Sequence, residues 1–315
     1  MQFRFTLILV FFVFLTPINS VHAKLDSKED RSKARQDFLQ AEKYFKQGKV
    51  DEYQKLKKQL VSYPLYPYLE YTEIRDRLHL LPTKEVRAFL ENHPDIHLSE
   101  RLLKSWLSQL AKKQKWQTFL EFYQPVSSIS LQCHHLNALI KTGKKAEALD
   151  KVANIWLYKE SRPKACDPVF RVWKDAGLQT TDLTWQRIAL ALDDNEIKLA
   201  RYLGKSLPKK DQKLLDEWLQ LRRHPEKLSA RAISAEHPYR QLALAHGVMK
   251  FARKDLTGAV YAWDELKFSD VFDPAIISKV EQSLSYRFLS GNFETPFEYL
   301  IFAEPCDADT KLQEI

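Results

Sequence analysis

The residues whose types could do chemistry are few and awkwardly spaced. Cys133, His134 and His135 are adjacent, and three such side chains suggest a metal centre. On a helix they would point in different directions, because only residues three or four apart share a face, so the spacing excludes a metal site. His224, His237 and His246 make no H-x-x-x-H pair with each other or with the first two, and zinc hydrolysis is unsupported. Glycoside cleavage needs a placed carboxylic acid, often two. Asp193-Asp194 and Glu281 are the candidates. Their positions read as helix starts or exposed faces, where carboxylates favour the helix dipole. No G-x-S-x-G elbow occurs, and the scarce glycines form no phosphate-cradling loop. Seven tryptophans could stack on sugar rings, but at helical spacing they read as core. No catalytic residue, metal or cofactor is therefore assigned.

The elements that would have to position any site are helices. Ala34, Phe38, Ala41, Tyr44 and Phe45 recur at steps of three and four, and residues 50–60 form a returning partner. Thr83 and Ser99 read as N-caps of the helices that follow them. Residues 146–156 read as one return helix, and residues 233–251 as another. Three turns echo one another, at Gly48, at Gly143 and at Arg253-Lys254-Asp255. A glycine there takes the left-handed conformation that ends a helix. No segment alternates as a strand does. This is the grammar of tetratricopeptide-like hairpins, stacked into a solenoid.

One stretch stands apart: Tyr63, Pro64, Leu65, Tyr66, Pro67, Tyr68, Leu69, Glu70 and Tyr71. Each proline fixes its own φ and biases its predecessor toward extended geometry. The stretch reads as a rigid, extended bend with Pro67 opening a helix. Its aromatic load predicts tyrosines buried between helix pairs.

The chain has 315 residues and a formal charge of +8. Arg4, the apolar run 5–15, Pro17 and Val21-His22-Ala23 have the form of a signal peptide cleaved after Ala23. Cleavage removes one charge, leaves no stable membrane span and implies export. A basic exported chain seldom meets nucleic acid. Its partner is an anionic cell-wall polymer or a membrane surface, unless the lysines are simply solvated. Oligomeric state has no mark in the sequence. In an oxidising compartment Cys133 and Cys166 are the natural disulfide pair, with Cys306 left over.

The stretch from Tyr63 to Tyr71 resembles the Y-P-L-Y-P-Y-L-E-Y signature of soluble lytic murein transglycosylases. A second block, Leu110-Ala111-Lys112-Lys113 with Trp116, is similar to the same family. So is a third, running from Gln132-Cys133 through Thr142-Gly143, Glu147-Ala148, Leu157, Ser161, Pro163 and Ala165-Cys166-Asp167 to Phe170 and Val172-Trp173. The resemblance spans about residues 33–185 and continues loosely to Gly291. It implies an all-α, right-handed superhelix of stacked hairpins in the periplasm. In the family this scaffold carries a lysozyme-like domain that cleaves glycan strands to 1,6-anhydro products with one glutamate. It also implies a disulfide at Cys133 and Cys166.

The family's catalytic Glu-Ser motif is followed by Gly-Leu-Met-Gln and Ala-Tyr-Asn-Ala-Gly blocks, and neither block occurs here. The single Glu-Ser, Glu160-Ser161, lies inside the third scaffold block. The resemblance thus implies residues 1–23 as signal peptide, 24–291 as scaffold and 292–315 as a tail poorly matched to the family. It further implies an open solenoid, inactive alone: a truncated frame, a frameshifted copy or a scaffold-only paralogue. The alternative is an independent helical adaptor that binds peptidoglycan or an envelope protein.

Overall fold

The computed structural model describes residues 28–290 except 230–231, 234–235 and 270–271. The expected signal peptide, Cys306 and the tail fall outside the described residues. Every regular element among those described is helical. They fall into two compact units, one up to Tyr123 and one from Gln124.

In the first unit, α1 (Lys28–Lys46) pairs with α2 (Val50–Gln59), and α3 (Tyr66–Arg77), α4 (Thr83–Asn92), α5 (His97–Lys112) and α6 (Trp116–Phe122) follow. The α1–α2 hairpin closes on Phe38, Ala41, Tyr53 and Leu60, and Leu69 of α3 joins that core. Helix α5 packs against α3, α4 and α6, and buries Leu102, Trp106, Leu107 and Leu110. The three-to-four spacing of these residues is the reason the helix has one apolar face.

In the second unit the order is α7 (Ile129–Lys141), α8 (Lys145–Asp150), α9 (Val152–Trp156), α10 (Asp167–Asp175), α11 (Thr181–Asp193) and α12 (Ile197–Gly204). Then come α13 (Lys209–Arg223), α14 (Arg240–Phe251), α15 (Leu256–Ser269) and α16 (Pro274–Ser290). Consecutive helices pair as α7 with α8, α11 with α12, α13 with α14 and α14 with α15.

Five of the turns share one hydrogen-bond pattern. The residues after Gly48, Gln114, Gly143, Gly177 and Asn195 donate their N–H back five residues, to Tyr44, Leu110, Leu139, Trp173 and Ala191. Each turn residue has positive φ, from 54° at Gln114 to 90° at Gly143. These are Schellman closures, which satisfy the orphan carbonyls of the helix just ended. The turn at residues 252–255 works differently. Asp255 Oδ1 accepts the N–H of Gly258 at 2.9 Å, so the second helix of that hairpin is capped from its start.

Four local expectations are corrected. Thr83 is the first helical residue of α4, after Pro82, and makes no side-chain cap. Ser99 sits third in α5 and donates its hydroxyl to the His93 carbonyl at 2.5 Å. Residues 146–156 do not form one helix but two, broken at Lys151. Helix α14 starts at Arg240 and not near residue 233, because Pro238 disfavours helical geometry at His237.

Candidate functional site

The tyrosine–proline stretch is a closed turn, not an extended bend. Tyr66 N–H donates to the Tyr63 carbonyl at 2.8 Å. Pro64 holds the second turn position and Leu65 the third, at φ −93° and ψ 7°. Those values are those of a type I turn. Pro67 is the second residue of α3, where its missing N–H costs no helical bond.

Its tyrosines do not share one fate. Tyr71 is buried, Tyr63 and Tyr66 are half-buried, and Tyr68 is 46% exposed. Helical geometry explains the split. Tyr66 and Leu69 face α1 and α2. Tyr71 meets Phe89 of α4 at 6.4 Å between ring centroids. Tyr68 falls between those two faces, on the side of the exposed Arg75.

Beside the Gly48 turn, α1, α2 and α3 enclose a groove of about 790 Å³. Glu42, Phe45, Tyr53, Gln54, Glu73 and Asp76 are among its walls. Glu73 accepts hydrogen bonds from Gln54 at 2.7 Å and Lys57 at 2.5 Å. Tyr53 donates its hydroxyl to the Leu69 carbonyl at 3.2 Å. Burial, and then the charge of Glu73, pushes the Tyr53 phenol upward. Burial, with Glu70 next, raises Tyr66 also. A neutral phenol, Tyr53, and a carboxylate matched by a lysine give the groove a surface for stacking and hydrogen bonding. They are not arranged as a proton-transfer pair.

The other residues singled out in the sequence lie apart from this groove. Cys133 and Cys166 are joined as a disulfide, fully buried, with 4.9 Å between their Cα atoms. It ties α7 to the short 3₁₀ turn before α10. His134 and His135 are half-buried on α7, and burial lowers both below the usual histidine range. Among the described residues no group of three His, Cys, Asp or Glu side chains could hold a metal. Glu160 is exposed, and its carbonyl accepts from Arg187 at 3.2 Å. Six tryptophans are buried at 5% exposure or less, and Trp116 is half-buried.

Asp193 is not at a helix start. It is the last residue of α11, where the dipole disfavours a carboxylate. His246 Nε2 at 2.6 Å and Lys279 at 3.1 Å compensate. Burial raises the Asp193 carboxyl, but these two partners outweigh it and leave it at about 2. His246 itself is held down by burial. His246 Nε2 is close to Asp193 without the alignment of a hydrogen bond, and the contact is one of proximity. Asp194 pairs with Lys159 at 2.8 Å, and Glu281 with Lys267 at 3.0 Å.

Sequence reasoning missed two groups. Arg187 is 4% exposed, lies 4.7 Å over the Trp156 ring, and is pushed down to about 10 by burial and then by Arg162. Arg222 and Lys250 both donate to the Asn195 side-chain oxygen. Neither group leaves a trace in local spacing, because its members come from separate helices.

The chain is 28% identical over 283 residues to the soluble lytic murein transglycosylase of Escherichia coli K12. That covers 89% of this chain and 43% of the relative. The Salmonella typhimurium protein of the same name is 29% identical over 224 residues, 70% of this chain and 34% of the relative. Among solved structures, an inactive variant of the Pseudomonas aeruginosa lytic transglycosylase matches with a TM-score of 0.71 at 27% identity. That match covers 80% of this chain and 41% of the other. The 70-kDa soluble lytic transglycosylase in complex with bulgecin A matches with a TM-score of 0.70 at 24% identity, over 86% of this chain and 44% of that one, and shares the fold. A family model described as cucumovirus coat protein matches residues 135–238. That is a third of the chain, and in this structure the segment runs through helices of the second unit. The proteins named soluble lytic murein transglycosylase are homologues of this chain, which is built of the same stacked helices and spans less than half of their length.

Proposed function

We propose that residues 24–291 are a periplasmic scaffold of the lytic transglycosylase kind, acting on peptidoglycan by holding and positioning. Residues 1–23 serve as its cleaved signal peptide. The observation that carries this reading is the match along nine-tenths of the chain to transglycosylases. The carboxylates support it. Glu100, Glu147, Asp193 and Glu226 are all held below their ordinary values by hydrogen bonds and nearby cations. A glycosidic general acid needs the opposite displacement. The disulfide between Cys133 and Cys166 is consistent with an oxidising compartment. The peptide stems of peptidoglycan carry carboxylates, which suits a chain that stays basic, at +7, after Arg4 is removed with the signal peptide.

The test is incubation of the purified protein with sacculi. We expect it to co-sediment with them and to release no 1,6-anhydro-muropeptides. Release of those products would place chemistry in these residues and overturn the scaffold reading. Failure to co-sediment at low salt would remove peptidoglycan as the partner. The mass of the exported protein, expected to begin at Lys24, checks the signal peptide separately.

A further inference from the structure

A second pocket, of about 170 Å³, opens in the second unit where the α11–α12 turn meets α13 and α14. Asn195, Arg201, Arg222, Arg223 and Lys250 supply its polar wall, with two apolar side chains beside them. Each cation stands near the C-terminal end of its helix, where a positive charge favours the dipole. That accounts for their presence one by one. It does not account for their convergence.

Arg222 Nη2 and Lys250 Nζ donate to the same neutral oxygen, Asn195 Oδ1, at 3.2 and 3.3 Å. Asn195 is held in place by its own left-handed φ of 64° and the closure around it. Arg222 Nε is buried and has no hydrogen-bond partner. Among the described residues no ion pair involves Arg201, Arg222, Arg223, Lys250 or Arg253. The nearby carboxylate, Asp193, is taken by His246 and Lys279. Burial, then Arg222 and Arg253, lowers Lys250, and burial chiefly lowers Arg222. By contrast, two other partly buried cations are matched, Lys57 with Glu73 and Lys267 with Glu281. Here the cations crowd around an amide.

We infer that this pocket is an oxyanion site, in which Arg222, Lys250 and Asn195 form the floor and Arg201 and Arg223 the rim. Its ligand is a carboxylate or phosphate group at the end of a larger molecule. A planar guanidinium can present its two Nη groups to two oxygens of such a group at once. Lysine adds a third donor, and the bound charge removes the repulsion between the two cations. The site goes beyond the scaffold reading and does not depend on it, since an anion can bind here whether or not the chain holds peptidoglycan.

The experiment is titration of the purified protein at low ionic strength, in separate arms, with inorganic phosphate and with N-acetyl-D-alanyl-D-alanine. Saturable heat and a raised melting temperature are expected in at least one arm. The better ligand says whether the group is phosphate or peptide carboxylate. Arg222→Gln and Lys250→Gln should each weaken that ligand tenfold or more. Without ligand, both variants should melt at or above the parent temperature, because each relieves a crowded charge. Lys84→Gln, in the first unit, should leave binding unchanged. No saturable binding in either arm, full binding in both pocket variants, or an equal loss in Lys84→Gln would overturn the site. Its failure would leave sacculus binding to be judged by its own assay.

Discussion

The tyrosine–proline turn of the first unit and the tryptophan core of the second are both aromatic, and they do opposite work. The turn is what makes the chain recognisable. Its tyrosines are spread over three sides of α3, and one is nearly half exposed. The second region stacks Trp185 on Trp218 at 6.2 Å and on Tyr239 at 5.3 Å, with His246 edge-on to Trp218 at 5.1 Å. Both tryptophans are at most 1% exposed. A motif conspicuous in sequence need not be the one that carries the most stability. Conspicuousness comes from unusual residue order, whereas stability comes from area removed from water.

Substitution gives the largest effect and the clearest way to break this contrast. Trp218→Ala should cost about 3–5 kcal/mol, the range for removing a large buried aromatic. Tyr68→Ala should change stability by no more than about 0.5 kcal/mol, as at other exposed positions. Urea unfolding followed by far-UV circular dichroism measures both. If Tyr68→Ala costs as much as Trp218→Ala, the turn is a core element and the contrast is wrong.

The disulfide comes next. Cys133→Ser with Cys166→Ser should lower stability by about 2–4 kcal/mol, since the cross-link closes a loop in the unfolded chain. Their sequence separation is 33 residues. The same double variant should not move the unfolding of the first unit, if a probe such as a label near Tyr53 reports on it separately. A uniform loss in both probes would show that the two units unfold as one.

Much of the architecture was legible. The apolar spacing of Phe38, Ala41 and Phe45 and the glycines at 48, 143 and 177 marked helices and their ends. Gln114 and Asn195 close turns in the same way without the glycine that would announce it. Thr83 and Ser99 were misread because a capping residue type one or three places inside a helix looks the same in a string of letters. The tyrosines of the turn were misplaced because burial on α3 depends on neighbours from α1, α2 and α4. Arg201, Arg222 and Lys250 come from three helices, and no spacing rule joins them.

Acid should separate the two regions more gently. Alkaline pH will not, because burial raises Tyr53 and Tyr66 at the turn and Tyr239 beside the tryptophans alike. On the acid side only the tryptophan region carries displaced groups. The Asp193 carboxyl stands at about 2, below its ordinary 3.8. Its contribution is therefore complete above the ordinary value and lost as pH falls toward 2. His246 is held below its ordinary 6.5 by burial, so the unfolded chain takes up a proton first as pH falls below that value. Both signs point to lower stability in acid. Asp193 is 42% exposed, so solvent screening keeps its share under about 1 kcal/mol. Asp193→Asn should flatten the limb between pH 4 and 2, roughly the window between its two values. Tyr66→Phe, in the other region, should not. An acid limb unchanged in Asp193→Asn would mean that its ion pairs are not felt in solution.

The smallest effect tests whether the five helix closures are equivalent despite their different residues. Gln114 takes φ 54° in the first unit, where Gly48 takes 71° with nothing within 4 Å of the Cβ it lacks. The left-handed conformation costs an ordinary side chain roughly 1–2 kcal/mol that glycine avoids. Glycine returns part of that by making the unfolded chain more flexible, which costs about 0.4–1 kcal/mol. Gln114→Gly should then raise stability by under about 1 kcal/mol, and Gly48→Ala should lower it by a similar amount. Steric room is not the issue at Gly48, so the loss there isolates the backbone term. Paired thermal melts of the two variants measure the difference. If Gln114→Gly is destabilising instead, its side chain is contributing more than its backbone costs, and the five closures are alike only in their hydrogen bonds.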